Sequence, residues 1–229
     1  MPIGAIANSA LLALGGLFGI LLGRRLSEEF KNTLTLVMGL CALMIAITNI
    51  IKLHSLTPVA LSLILGVIIG EALLLDTRVK KAVGSLFGKA AKKTDSGWTT
   101  EFCFVATLFV ASGTGIFGIL KEGFEAEPSI LLTKAALDFF AAMIFAAKLG
   151  GAVSFIAIPQ FSVYIVLFLF SRWIFPLLTE RQIMNFYAVG GLVDLAIGLS
   201  MLNVHKFRTI NFLPAFVVVF PVTLLFDLF

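Results

Sequence analysis

Two oppositely charged side chains, Lys134 and Asp138, lie four residues apart in the long apolar run at residues 131–151. A helix brings such positions onto one face, where an ammonium and a carboxylate can pair. Charges in apolar surroundings are costly, and they commonly mark substrate or proton sites. The spacing therefore predicts such a site. A salt bridge that only orients its helix, or a lysine that extends to the membrane interface, would explain the same residues.

A third charged residue, Asp194, stands in the middle of another apolar stretch, "VGGLVDLAIGLS". No cation is near it in sequence, so we expect it to be protonated or matched by Lys134 from a different helix. The sequence leaves open whether Lys134 pairs with Asp138 or with Asp194.

Small and neutral polar residues accompany these charges. The stretch "VASGTGIFGIL" contains Ser112 and Thr114 among glycines, which favours close helix packing or a broken helix whose free ends bind ions or carboxylates. The amides of Asn8 and Gln160 are expected to line a cavity or to bond across helices. The candidate binding residues are Asp138, Lys134, Asp194, Asn8, Ser112 and Thr114.

Signatures of catalysis and metal binding are missing from the sequence. It contains no HExxH, GxSxG or phosphate-binding lysine loop, and GxGxxG does not precede a helix. Neither the two cysteines nor the two histidines have metal-ligand spacing. We predict no enzyme, no catalytic residue, no metal and no cofactor.

The elements that must position the charges are membrane-spanning helices. The chain of 229 residues is 59% hydrophobic and 13% charged, about half the charge content of a soluble domain. Its apolar runs do not alternate as strands of a β-barrel would. Eight segments are close to the length that crosses a bilayer, with seven spans as the alternative; they are 3–22, 33–51, 57–75, 102–120, 129–147, 152–171, 183–203 and 209–228.

Orientation follows from lysine and arginine, which are concentrated in the odd-numbered loops. We expect these loops to be cytoplasmic and both termini to lie outside the bacterial cytoplasmic (inner) membrane. The long third loop, 76–101, predicts an amphipathic helix on an anionic lipid surface, with a charged linker as the alternative; its apolar positions are Val79, Val83, Leu86, Phe87 and Ala90. No nucleic-acid partner is expected.

An internal repeat is predicted from residues 26–50 and 178–202, which align without gaps at a constant displacement of 152. With eight spans, the first three match the last three in the opposite orientation, as in many secondary transporters. The predicted architecture is an all-α membrane protein with a 3+2+3 arrangement of helices. Its parts are a first repeat (1–75), an amphipathic loop (76–101), a central pair (102–149) and an inverted repeat (152–229).

Four segments carry a resemblance to a known family: "NSALLALGGLFGILLGRRL", "LILGVIIGEALLLDTRVKK", "LLTKAALDFFAAMIFAAKLGGAVSF" and "NFLPA". The chain resembles the YqgA/YdfK family of bacterial membrane proteins, which have no settled activity and are often labelled as transport proteins. Lys134, Leu137 and Asp138 fall on the family's Lys-x-x-Leu-Asp pattern, and Asn8 on its early asparagine. The resemblance implies a membrane fold over nearly the whole chain.

The leading functional hypothesis is a transporter of a small solute or ion, with a cavity bounded by the first, fourth, fifth and seventh spans. Asp138 would bind the substrate or coupling ion, and Lys134 would be its partner. A passive channel and a membrane scaffold or regulatory protein are the alternatives. Since the chain is small and rich in glycine, we also expect a homodimer or higher oligomer in the lipid bilayer.

Overall fold

A computed structural model describes residues 1–22, 25, 27–87 and 96–227. Over these residues the chain forms α-helices and short 3₁₀ turns, and it contains no strand. In chain order the helices are α1 (Ile3–Leu22), α2 (Glu28–Ile50), α3 (Leu56–Ala72), α4 (Leu75–Phe87), α5 (Ser96–Val110), α6 (Gly113–Glu125), α7 (Ser129–Leu149), α8 (Ala157–Ile174), α9 (Glu180–Met201) and α10 (Ala215–Asp227).

The number of possible membrane spans agrees with the sequence. Within the described ranges, seven stretches are long and apolar enough to cross a membrane. An eighth is obtained if α3 and the first part of α4, which meet at an angle of 54°, count as one bent span. The prediction of an all-α membrane protein with about eight spans is therefore confirmed at this level, whereas the inverted repeat stays a prediction.

Two helix starts follow the repeat closely. Helices α2 and α9 begin at Glu28 and Glu180, which are 152 residues apart. In each case the preceding hydroxyl caps the helix: Ser27 accepts from the Phe30 N–H at 3.1 Å, and Thr179 accepts from the Gln182 N–H at 3.2 Å. Helix α2 packs against α9, and α3 packs against α10. Each helix thus contacts its predicted counterpart.

A sharp turn separates the fifth and sixth predicted segments. Helix α7 ends at Leu149, and Gly150 follows with φ +81°. This left-handed conformation favours glycine, which often stops a helix in this way. The sixth segment, predicted as a helix from residue 152, instead starts with a 3₁₀ turn at Gly151–Ile156 before α8. The central run is therefore two spans and not one long helix.

The third loop contains the predicted helix in part. Helix α4 ends at Phe87, and an ion pair of 2.7 Å joins Lys80 to Asp76 in its first turns. Ala90, the last apolar position of the prediction, lies outside the described residues. Helix α5 begins at Ser96, so the loop is shorter than the predicted 76–101.

The turn between α6 and α7 is held by an ion pair of 2.6 Å between Lys121 and Glu127. Hydrogen bonds from the Lys121 ammonium and from the Ser129 hydroxyl lower the pKa of Glu127 below its ordinary value. Ala126, at the end of α6, has a φ of +57°. These contacts set the start of α7, the helix that carries Lys134 and Asp138.

A buried carboxylate from α6 caps the first helix. The Gly4 N–H donates to Glu122 Oε1 at 2.7 Å, and the Ala5 N–H donates to Oε2 at 3.3 Å. The first amides of a helix have no partner within it, and the helix dipole places partial positive charge there. Glu122, 3% exposed, supplies both the acceptors and the opposite charge.

Glu122→Gln is expected to lower the free energy of unfolding by about 1 kcal/mol, because the helix start loses a charged acceptor. Chemical unfolding of the detergent-solubilised protein measures this change. Glu125→Gln is the matched control, since Glu125 is exposed on the same helix and lies 3.7 Å from Lys121. Equal unfolding curves for the two variants would show that the capping contact contributes nothing to stability.

Candidate functional site

The two charges of α7 form a buried pair. Lys134 Nζ lies 2.6 Å from Asp138 Oδ2 and 2.8 Å from Oδ1, and the two side chains are 6% and 8% exposed. The structure thus answers the question that the sequence left open: Lys134 pairs with Asp138. Both side chains are buried and Asp138 holds the Lys134 ammonium, so the lysine does not extend to the interface.

Asp138 also receives two amide donors from other helices. Asn8 Nδ2 in α1 donates to Oδ2 at 3.0 Å, and Gln160 Nε2 in α8 donates to the same oxygen at 3.3 Å. Ser9 in turn donates to Gln160 Oε1 at 3.1 Å. A buried ion pair is stable only when further hydrogen bonds satisfy its remaining lone pairs. Asp138 meets this condition and connects α1, α7 and α8.

The fourth predicted segment, 102–120, is not one continuous helix. Helix α5 ends at Val110 and α6 begins at Gly113, with Ser112 extended between them (φ −62°, ψ 130°). Serine, threonine and glycine have weak helix propensity, which explains why the helix breaks here. Gly115 is also required for space, because a Cβ there would collide with the Tyr164 hydroxyl.

Neighbouring side chains satisfy a carbonyl that the break leaves free. In an unbroken helix the Phe109 oxygen would accept from the Gly113 N–H. Here Gln160 Nε2 donates to that oxygen at 3.1 Å, and the Tyr164 hydroxyl donates at 3.5 Å. Backbone groups at membrane depth must be paired within the protein, so these two side chains make the break tolerable. Gln160 therefore serves both the ion pair and the break.

Asp194 in α9 faces the first turn of α6. The Thr114 hydroxyl lies 3.4 Å from Asp194 Oδ2, and it accepts from Asn49 Nδ2 at 3.2 Å. Asp194 is 4% exposed. The N-terminal end of a helix carries partial positive charge, so this position favours a carboxylate.

A single pocket brings the two charged regions together. Its volume is about 520 Å³, with its opening included. Lys134 and Asp138 contribute one wall, while Asp194, Ser112 and Thr114 contribute others. Apolar side chains complete the lining: Met38, Cys41, Ala42, Ile45, Leu108, Leu137, Ala141, Ile197 and Met201.

The set of helices that line this pocket differs by one helix from the set that the sequence predicted. The sequence predicted a cavity bounded by the first, fourth, fifth and seventh spans. The observed lining comes from α2, the α5–α6 break, α7 and α9. Asn8 in α1 contacts Asp138 but does not itself line the pocket. Helix α1 packs closely on α7 through glycines and leaves the pocket side to α2.

Sequence reasoning missed two contributors, Tyr164 and Asn49. Gln160 was expected to line a cavity or to bond across helices, and it bonds across helices. A signal for Tyr164 was present, because it lies one helical turn from Gln160 on the same face. No signal distinguished Asn49 from other polar residues near helix ends.

These helices and their buried charges define a multi-pass helical membrane protein. The chain belongs to the family described as "Protein of unknown function (DUF554)", which matches residues 3–224. It is 40% identical over 227 residues to "Uncharacterized protein YqgA" of Escherichia coli (strain K12), covering 97% of each chain. It is 26% identical over 220 residues to "Uncharacterized membrane protein YdfK" of Bacillus subtilis (strain 168), covering 94% of this chain and 93% of that one. No solved structure matches it.

Proposed function

We propose that this protein transports a small solute or ion across the bacterial cytoplasmic membrane and that the pocket is its binding site. Lys134 and Asp138 form the charged wall, and Asp194 is a second ionisable group. Ser112 and Thr114 supply hydroxyls, while Asn8 holds Asp138 in place. The protein acts without enzymatic chemistry, cofactor or nucleic acid.

The broken helix beside buried charges is the observation that carries this proposal. Ionisable residues inside membrane spans are costly and usually functional, and discontinuous helices form the binding sites of many transporters. Here Ser112 and Thr114 at the break line the same pocket as Lys134, Asp138 and Asp194. A purely structural ion pair would not require a broken helix beside it.

An inverted repeat is part of the proposal. Asn8 and Gln160 are 152 residues apart, and both donate to Asp138. The contacts of α2 with α9 and of α3 with α10 are those expected across an interface between two copies. Asp138 would then lie where the repeats meet, which is the usual position of a transporter site.

Topology and assembly complete the proposal. The excess of lysine and arginine in the odd-numbered loops favours their cytoplasmic location, with both termini outside. We also propose a homo-oligomer, because the chain is small for a transporter. Its glycine-rich faces do not support this part, since Gly15, Gly66 and Gly191 pack against other helices of the same chain.

A thiol in the pocket offers a direct test. Cys41 lines the pocket and is partly exposed, whereas Cys103 is buried. Small anions, organic acids, amino acids, nucleobases and metal cations are first screened for thermal stabilisation of the detergent-solubilised protein. A compound at about a hundred times its dissociation constant adds about 2.7 kcal/mol to the free energy of unfolding. We expect a stabilising compound to slow N-ethylmaleimide labelling of Cys41 and to enter proteoliposomes.

Labelling of Cys41 should in turn stop that flux, and whatever flux Cys41→Ala retains should not respond to the maleimide. Asp138→Asn should also abolish transport. Saturation of the flux would indicate a transporter, and linear flux a channel. If no compound stabilises the protein or crosses the bilayer, the pocket is structural and the scaffold function takes precedence.

A further inference from the structure

We propose that the pocket binds a small amphipathic solute whose polar head carries no net charge. The head lies at Ser112 and Thr114, and an aliphatic body extends toward Met38 and Met201. This inference rests on the transport function proposed above and names the substrate class of the same pocket.

The hydrogen-bonding and charged side chains of the pocket lie at one level of the helix bundle, here called the polar end. Asn49 donates to Thr114 at 3.2 Å, and Thr114 lies 3.4 Å from Asp194, so α2, α6 and α9 meet there. Lys134 of α7 reaches the same turn, since its Cε would lie 3.0 Å from a Cβ at Gly115. The pocket residues of the polar end are Ser112, Thr114, Lys134, Asp138 and Asp194. Four parts of the fold thus bring their polar groups to one end of the pocket.

The opposite end of the pocket is apolar. Lys148 near the end of α7 donates to Asn32 near the start of α2 at 3.0 Å, and Trp98 near the start of α5 donates to the Leu149 carbonyl at 3.1 Å. The last turn of α9 lies against Gly39 of α2. All four helices therefore continue from the polar end in a common direction. Along this direction they line the apolar end with Met38, Cys41, Leu108, Ala141, Ile197 and Met201.

The apolar end is long enough for an aliphatic chain. Asp194 and Met201 line the pocket two helical turns apart on α9, as do Ile45 and Met38 on α2. At about 1.5 Å of rise per residue, the two levels are about 10 Å apart. Methionine side chains adapt to irregular shapes. Pockets that are mostly apolar, with a few polar groups in one place, orient a small molecule by its polar part.

The charged side chains of the polar end already have partners. Lys134 contacts both oxygens of Asp138. Asp194 lies 3.4 Å from Thr114 Oγ1 and has a further interaction within the protein. A ligand with a net charge would have to be buried without a counter-charge of its own, which is costly. An inorganic ion would also make no use of the apolar end. A head without net charge avoids both problems.

The Ser112 hydroxyl is the group best placed to bind such a head. Ser112 lies in the break between α5 and α6, is 6% exposed and lines the pocket. Its side chain makes no capping hydrogen bond to α6, unlike Ser27 at α2 and Thr179 at α9. A hydroxyl both donates and accepts, so it can meet an amide, a hydroxyl or a zwitterion. A hydrocarbon would offer it no partner.

Isothermal titration calorimetry of the full chain in lipid nanodiscs tests this ligand class. Nanodiscs replace detergent, which is itself amphipathic and would compete, and heats from empty nanodiscs are subtracted. Norleucine and hexanamide carry no net charge, whereas hexanoate and hexylammonium are charged compounds of equal carbon number. We expect norleucine, hexanamide or both to bind saturably, about tenfold or more tightly than the charged pair. Among shorter homologues of the compound that binds, the affinity should fall about fourfold for each methylene group removed.

Two substitutions separate the head from the body. Ser112→Ala removes the hydroxyl, so it should lower the affinity for every homologue by the same factor, about fivefold. Met38→Ala removes apolar contacts, so it should reduce the gain per methylene group instead. Met44→Ala is the matched control on α2, because Met44 is exposed and does not line the pocket; it should change neither quantity. Either pocket variant is decisive alone if the other does not fold.

Several outcomes would overturn the ligand class. These are tighter binding of hexanoate or hexylammonium, an affinity that does not depend on chain length, and no saturable binding of norleucine or hexanamide. Saturable flux of an inorganic ion that neither compound inhibits would also refute it, and the transport function would stand. Binding with the expected dependence on chain length, but without flux of the bound compound into proteoliposomes, would refute the transport function and support the ligand class.

Discussion

Lys134→Met is expected to lower the free energy of unfolding by about 3–5 kcal/mol, the usual cost of leaving one member of a buried ion pair without its partner. Asp138 would retain the amides of Asn8 and Gln160 but no cation within contact distance, in a place where only 8% of its surface is exposed. Guanidinium or urea unfolding in a mild detergent, followed by circular dichroism or intrinsic fluorescence, measures the change.

The double variant Lys134→Met/Asp138→Asn should recover most of that stability, because it removes both charges and preserves an oxygen that can accept from Asn8. Lys148→Met is the matched control, since Lys148 lies on the same helix but is exposed and donates to Asn32 Oδ1 at 3.0 Å. If Lys134→Met is as stable as Lys148→Met, the buried pair does not hold the fold. Both charges would then be present for function alone.

Gly15→Val is expected to destabilise the protein by about 1–3 kcal/mol or more, as overpacked interiors typically do. A Cβ at Gly15 would collide with the carbonyl oxygen of Phe139 in α7 and would lie 2.9 Å from its carbonyl carbon. Gly19 meets the Met143 carbonyl in the same way, so glycines and carbonyls face each other at equal spacing. Since α7 carries Lys134 and Asp138, displacement of α1 should also disturb the ion pair.

The direction in which the smaller substitution Gly15→Ala changes the stability makes this prediction specific. On an exposed helix face, glycine to alanine stabilises by about 1 kcal/mol through helix propensity. Gly15→Ala should instead destabilise, because backbone atoms of α7 occupy the space. Ala10→Val, at an exposed position of α1, should change the melting temperature little. A stabilising Gly15→Ala would mean that α1 and α7 are further apart than the structure shows.

The spans, and the position of Lys134 and Asp138 on one helix face, could both be predicted from the sequence. The runs of apolar residues have one physical solution in a bilayer, because each backbone amide and carbonyl must be paired within its own helix. Lys134 and Asp138 are four residues apart on one such helix, so local geometry allows them to pair, but the structure was needed to show that Lys134 pairs with Asp138 and not with Asp194. The turn at Gly150 was equally local, since a glycine between two long runs marks where the chain reverses.

The residues that hydrogen-bond to that ion pair could be predicted only in part. The displacement of 152 residues connected Asn8 with Gln160, but nothing in the sequence showed that both amides reach Asp138. The break at Ser112 had the right composition, yet the same residues serve close packing equally well. The structure shows a helix break, because Gln160 and Tyr164 of another helix donate to the Phe109 carbonyl that the break leaves free.

The sequence by itself determined the membrane class, the approximate spans and the position of Lys134 and Asp138 on one helix face, because these depend on residues close together in the chain. Only the tertiary structure decided that α2 replaces α1 in the pocket wall and that Asp194 faces Thr114. Such contacts depend on which helix faces meet. In an apolar chain many faces are chemically alike, so the choice depends on packing shape: glycines that admit a neighbouring backbone, and polar groups that need a partner.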